Sequence, residues 1–170
     1  MSRHRRAYDS NNSNPYELSR GRLEQLMQCE GCFWLRQAKG IAPPSIPGFN
    51  LNTNTDTLLK RDADKYRGKV PHPIMVNAGF ENIRPYGHED LHKWALSTHF
   101  GTNDGYFNTV HKETNIRFGG GLDDVYENIE TGELHIVDYK STENLSKEPK
   151  PVSLDGKWKQ GYKRQADMYV

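Results

Sequence analysis

Residues 120–142 read GGLDDVYENIETGELHIVDYKST, an apolar strand that carries an aspartate and a lysine shortly after a glycine-flanked pair of aspartates. Strand side chains alternate between faces, so Leu134, Ile136, Asp138 and Lys140 point one way while His135, Val137 and Tyr139 point the other. The face that begins apolar therefore ends in a charge pair. Burying charge is costly unless the charge is paired or holds a metal, so this placement needs a chemical reason. Asp123 falls on the preceding strand, and Thr131-Gly132 makes the turn between the two. Adjacent antiparallel strands lie about 5 Å apart, so Asp123 and Asp138 on one face can share a cation. Mg²⁺ takes one or two carboxylates and completes its shell with waters and phosphate oxygens, which this pair suits. Such a cation polarises a phosphodiester and acidifies a bound water. Lys140, on the same face, can orient or deprotonate that water, or neutralise charge developing on phosphorus. Two metal ligands and a lysine make a hydrolytic site.

The chain of 170 residues is long enough for one domain with its own core. Its apolar content is 34%, its charged content 26% and its mean hydropathy −0.91, so the expectation is a folded domain with long polar loops. A formal net charge of +1 gives no global field that selects nucleic acid or membrane, and any basic footprint must be local. No apolar run is long enough to span a bilayer, so no membrane partner is expected. MSRHRRAYDSNNSNP has no apolar segment behind its basic residues and reads as a mobile tail over residues 1–16, not a secretory signal. Two cysteines make no disulfide framework, and a reducing cytoplasm is the expected location.

Along residues 17–170, Ser19 is a candidate N-cap for a helix to Ala38, ended by Gly40, Pro43 and Pro44. A second helix is expected over Asn54–Tyr66, a weak strand over Ile74–Gly79 and a short helix over His88–His99. Three successive strands follow, over Gly105–Lys112, Thr114–Tyr126 and Glu133–Ser141, then a proline-containing loop and a helix from Lys157. The pattern is of the α/β (α+β) type. It stops inside a helix at Tyr169-Val170, where such a fold usually returns with another strand, so the C-terminal part is expected to be missing.

Gly120-Gly121-Leu122-Asp123 resembles the GxxD motif of the PD-(D/E)XK nuclease superfamily, and Asp138-Tyr139-Lys140 resembles its (D/E)XK motif. Gln165-Ala166-Asp167-Met168-Tyr169 resembles the QxxxY motif of the RecB-like exonuclease branch, and LSRGRLEQLMQCEGCFWL resembles the helix with which such domains open. The resemblance implies a restriction-endonuclease-like core, a mixed central sheet flanked by helices. It implies that Asp123 and Asp138 hold Mg²⁺ or Mn²⁺, that the Tyr139 carbonyl completes the shell, and that Lys140 acts on the water. Gln165 and Tyr169 would contact DNA or brace the site. In place of the family's LGTxxHxxLE stretch the chain has LNTNTDTLLK, which puts Asp56 at the histidine position. A carboxylate is the harder ligand and suits Mg²⁺. His88 or His92, spaced i, i+4 in HEDLH, could supply that ligand instead.

Asp124 is read as turn chemistry. Cys29 and Cys32 could form half of an iron–sulfur or zinc site, but four ligands are needed and the chain has no further cysteine. They are read as buried thiols near a helix end, and no iron–sulfur cluster is expected. Lys147, Lys150, Lys157, Lys159, Lys163 and Arg164 form a local basic patch interleaved with Trp158 and Tyr162, suited to the phosphates and bases of DNA, single-stranded or at duplex ends. The function expected from all of this is a metal-dependent deoxyribonuclease, of exonuclease type, serving repair, recombination or the processing of phage or mobile-element DNA. The alternative is a nucleic-acid-binding module of the same fold without catalysis.

Overall fold

The computed structural model describes residues 7–44, 47–48, 50–96, 107–141, 153–156 and 159–170. Within them the protein is mixed α/β, with six helices and two small three-stranded sheets. Two compact units divide the chain, one formed by residues 1–47 with 96–121 and the other by 48–95 with 122–170. Among the described residues no helix is long and apolar enough to cross a membrane.

The first unit holds β1 (Tyr16–Ser19), α1 (Arg20–Gln28), α2 (Glu30–Ala38), β3 (Asn108–His111) and β4 (Ile116–Gly119). Its sheet runs β1-β4-β3, with β1 parallel and β3 antiparallel to β4. Asn115, at φ 51°, closes the β3–β4 turn in the left-handed conformation that asparagine tolerates. Residues 8–13, read from the sequence as part of a mobile tail, are tied to this unit. The Tyr8 N–H donates to the Gln37 carbonyl at 2.7 Å, and the Asn115 amide donates to the carbonyls of Asn12 and Ser13.

The single helix expected over Ser19–Ala38 is two helices. Cys29 adopts an extended backbone between them and caps α2, its sulfur accepting the Cys32 N–H at 3.2 Å. A cap needs that non-helical backbone, so the residue that starts α2 also ends α1. Cys29 and Cys32 are exposed and joined as a disulfide, with Cα atoms 5.3 Å apart, not buried as thiols.

The second unit holds α3 (Asn50–Asp64), α4 (Pro73–Asn77), β2 (Ile83–Pro85), α5 (Leu91–Trp94), β5 (Asp124–Asn128), β6 (Leu134–Val137) and α6 (Gln160–Tyr169). Its sheet is wholly antiparallel, in the order β2-β5-β6. The expected strand over Thr114–Tyr126 is split, because residues 120–123 leave the ladder and deliver β4 and β5 to different sheets. The one central sheet implied by the resemblance is thus two small sheets among the described residues. The stretch expected as a strand near Ile74 is helix α4, since Pro73 occupies its first turn and the His72 ring nitrogen accepts the Ile74 N–H. Strand β2 went unread because it is three residues long and ends in a proline. Pro85 costs no ladder bond on this edge strand, and it is fully buried. Gly132, at φ 74°, and the Asn128 side chain, which accepts the N–H groups of Glu130 and Thr131, form the β5–β6 turn expected from Thr131-Gly132.

The core of the second unit is small: among the described residues Ala63, Ile83, Pro85, Leu122, Val125 and Tyr126 are its buried apolar residues. Asp124 lies among them at 1% exposure. It accepts both terminal nitrogens of the Arg67 guanidinium, at 2.8 and 3.0 Å, and the Tyr139 hydroxyl at 3.0 Å. The expectation of simple turn chemistry for Asp124 is corrected: its side chain is a buried structural anion. Removing one partner of a buried pair strands the other without solvent. Asp124→Ala is therefore expected to destabilise the second unit by about 3 kcal/mol, and the pair Asp124→Leu with Arg67→Met to recover much of that loss. Urea unfolding of the two variants beside the native protein measures both.

Candidate functional site

The β5–β6 register sets the site. Asp124 pairs with Val137, so Asp123 and Asp138 stand opposite each other one step beyond the ladder. Paired residues share a face, and alternation then divides the hairpin into two chemistries. Asp123, Asp138 and Lys140 take one face. Asp124, Tyr126 and Tyr139 take the other, where Tyr139 and Tyr126 bring their hydroxyls within 3.3 Å. The Tyr139 hydroxyl proton goes to Asp124, so Tyr126 donates to Tyr139. Burial pushes both phenols up from their ordinary range, which keeps them protonated and able to donate.

Each oxygen of the two facing carboxylates has a donor. Asp123 Oδ1 accepts the Lys60 ammonium at 3.0 Å, and Asp123 Oδ2 accepts the Tyr139 backbone N–H at 3.0 Å. Asp138 Oδ1 accepts the Gln165 amide at 2.7 Å, and Asp138 Oδ2 is ion-paired with Lys140. Helix α3 supplies Lys60 and α6 supplies Gln165, which is 7% exposed. A carboxylate oxygen has two lone pairs, so each keeps one for a cation.

Asp56 lies one turn before Lys60 on α3, and its Oδ2 is 3.0 Å from the same ammonium. Its Oδ1 is buried and has no hydrogen-bond partner among the described residues. Lys60 therefore bridges Asp56 and Asp123. Burial lowers its pKa and the two carboxylates raise it further, so the ammonium stays charged. Among the described residues no three of His, Cys, Asp and Glu converge closely enough to hold a metal ion. The donor set that fits Mg²⁺ as it stands is the Asp123 and Asp138 pair. That pair meets the count this ion requires, while Asp56 is engaged by Lys60.

The remaining candidates lie elsewhere. Helix α5 contains His92 but not His88, so the two histidines do not share a helical face. His88 stacks between Tyr86 and Trp94, with ring centroids 5.8 and 4.6 Å away, and His92 Nδ1 donates to the Glu89 carbonyl. Tyr169 and Arg164 are half-buried on α6, and Lys163 is exposed, 3.8 Å from Asp155. Lys159 donates to the Ser153 carbonyl. Tyr162 lies beneath the Lys140 ammonium, its ring centroid 5.5 Å away. Lys147, Lys150, Lys157 and Trp158 fall outside the described residues.

Lys60, Arg67 and Asp124 are the participants that the sequence reading missed. An aspartate followed four residues later by a lysine on a helix is a pairing signal, and Asp56 with Lys60 carries it. Arg67 has a local partner in Asp64, three residues before it, but no local signal for Asp124, which is 57 residues away.

Burial pushes the Asp138 carboxyl up from the ordinary carboxylate range; Lys140 opposes the shift and the neighbouring Asp123 charge adds to it. The native state then holds this proton more tightly than the unfolded chain does. Asp138 thus subtracts stability as pH rises from the ordinary carboxylate value through its native one. In metal-free protein, Lys140→Met is expected to move the Asp138 titration higher and Asp123→Asn to move it lower. Carboxyl carbon NMR resolves both directions.

No protein-family model matches the chain, and neither a curated protein nor a solved structure matches it at a significant level.

Proposed function

We propose that the second unit is a metal-dependent deoxyribonuclease site of the PD-(D/E)XK kind, RecB-like in its motifs and of exonuclease type. The observation that carries this reading is the register that sets Asp123 opposite Asp138, with Lys140 on Asp138 and Gln165 bracing it. Motif residues separated by as many as 42 positions in the sequence, from Asp123 to Gln165, meet around two carboxylates. Asp123 and Asp138 would hold Mg²⁺ or Mn²⁺, with the Tyr139 carbonyl as a third donor. The cation would supply Lewis-acid polarisation of the phosphodiester and a more acidic water.

The chain's own groups do the rest. Three carboxylates and two ammonium groups leave the cluster one net negative charge, which repels a phosphate until a cation is added. Lys140, seated on Asp138 and over Tyr162, places its ammonium beside the reacting phosphate and offsets the charge gathering there. Gln165 holds the Asp138 carboxylate in one orientation, and Tyr139 does the same for Asp123 through its backbone N–H. Lys159, Lys163 and Arg164 lie on or at the start of α6, the helix that carries Gln165, and would meet the DNA backbone.

One observation favours the alternative of a nucleic-acid-binding module. Both carboxylates already have an ammonium partner, Lys60 on Asp123 and Lys140 on Asp138. Cleavage assays on single-stranded and duplex DNA with Mg²⁺, Mn²⁺ or EDTA separate the two. The nuclease reading expects cleavage with either metal, none with EDTA, and a loss of about a hundredfold or more in Asp138→Asn with an unchanged melting temperature. DNA binding without cleavage in any metal would establish the binding module instead.

A further inference from the structure

The nuclease reading leaves one half-buried charge unused. Lys60 makes no contact expected of a nuclease lysine. It sits on α3 with its ammonium 3.0 Å from Asp56 Oδ2 and 3.0 Å from Asp123 Oδ1. It is about one-third exposed.

The two oxygens of Asp123 are not equivalent. Oδ2 faces the Tyr139 N–H, a fixed backbone donor, whereas Oδ1 faces the end of a flexible four-carbon side chain. An arriving cation gains most from the oxygen whose present partner can leave. That oxygen is Oδ1. The same ammonium also holds Asp56 Oδ2, and the other, buried oxygen of Asp56 has no partner among the described residues. A divalent ion on Asp123 would repel an ammonium in contact with the same carboxylate, and its departure would free Asp56 Oδ2 as well. Once Lys60 has left, Asp56, Asp123 and Asp138 offer three hard oxygen ligands, a set suited to Mg²⁺ or Mn²⁺.

We propose that Lys60 is the resident counter-cation of this site, which a divalent ion must displace from Asp123 before Asp56 can join the ligand set. The proposal rests on the reading of Asp123 and Asp138 as cation ligands. It makes Lys60 a brake on metal affinity, and it makes metal loading a rearrangement of α3 side chains without a change of fold. Substitution of Lys60 should therefore strengthen metal binding, the opposite of what loss of a catalytic or phosphate-binding lysine would do.

The test is Mn²⁺ titration of the full chain by calorimetry and electron paramagnetic resonance, on the native protein and on Lys60→Met, with Asp123→Asn as the control that loses the site. The expected result is Mn²⁺ binding by the native protein and binding about tenfold tighter by Lys60→Met. Lys60→Met leaves two carboxylates facing each other and could fail to fold, so a second measurement uses the native protein alone. Amine acylation followed by mass spectrometry should find Lys60 severalfold more reactive once Mn²⁺ is added. Lys65, whose side chain is 69% exposed and paired with Asp62, should be unchanged. Native protein that binds Mn²⁺ with no gain in Lys60 reactivity, and no gain in affinity in a folded Lys60→Met, would overturn the role of Lys60 and leave the metal site standing. Failure of both proteins to bind Mn²⁺ would overturn the metal reading and this inference with it.

Discussion

Everything proposed for this protein hangs on the bidentate contact between Arg67 and Asp124. A carboxylate at 1% exposure is tolerable only when paired and hydrogen-bonded, and Asp124 meets that condition with Arg67 on two nitrogens and Tyr139 on its hydroxyl. The same guanidinium donates to the Tyr86 carbonyl, so it ties the end of β2 to the start of β5. Tyr139 then transmits the anchor outward. Its hydroxyl is fixed on Asp124 while its backbone N–H meets Asp123 Oδ2. The buried pair thus sets the position of a carboxylate that it never touches.

The consequence is a site held from three directions. Helix α3 presents Asp56 and Lys60, the β5–β6 hairpin presents Asp123, Asp138 and Lys140, and α6 presents Gln165. The surrounding core is thin, with six buried apolar residues among the described residues of this unit, so polar contacts carry an unusual share of its definition. That arrangement suits the exchange of charged partners proposed for the site. Ammonium–carboxylate contacts at partly exposed positions are individually weak, and they yield to a stronger cation without loss of the fold.

The hairpin was legible in the sequence because two simple rules coincide there. Alternation assigns Asp138 and Lys140 to one face, and Thr131-Gly132 supplies the turn, with Gly132 at φ 74°. Gln165 was legible only through its motif, since nothing in the helix itself says that its amide reaches Asp138. The losses have physical causes. Residues 19–38 carry one continuous helical pattern, and the break at Cys29 depends on a sulfur cap that periodicity cannot register. Residues 74–79 have the apolar content of a strand, and the helix there comes from Pro73 and the His72 cap. Asp124 looked like a turn residue because its partner, Arg67, is distant in the chain and gives no local sign.

Asp123 and Asp124 show most directly how little separates a structural carboxylate from a chemical one. They are neighbours of identical type, Asp124 the first residue of β5 and Asp123 the residue just before it, and their side chains meet different partners. Asp124 turns toward Arg67 and Tyr139, where burial and three donors fix it. Asp123 turns toward Lys60 and stands opposite Asp138, at 24% side-chain exposure, where a partner can be replaced. A slip of one residue in the β5–β6 register would exchange these surroundings, placing Asp123 against the guanidinium and Asp124 at the cation face. Composition would be unchanged and the motif would still read GGLD. The Asp138 carboxyl, however, would lose the partner opposite it. The function proposed for the chain is therefore a property of the register, and the buried Arg67–Asp124 pair, whose carboxylate also accepts the Tyr139 hydroxyl and the Val125 N–H, is the contact that marks the native one.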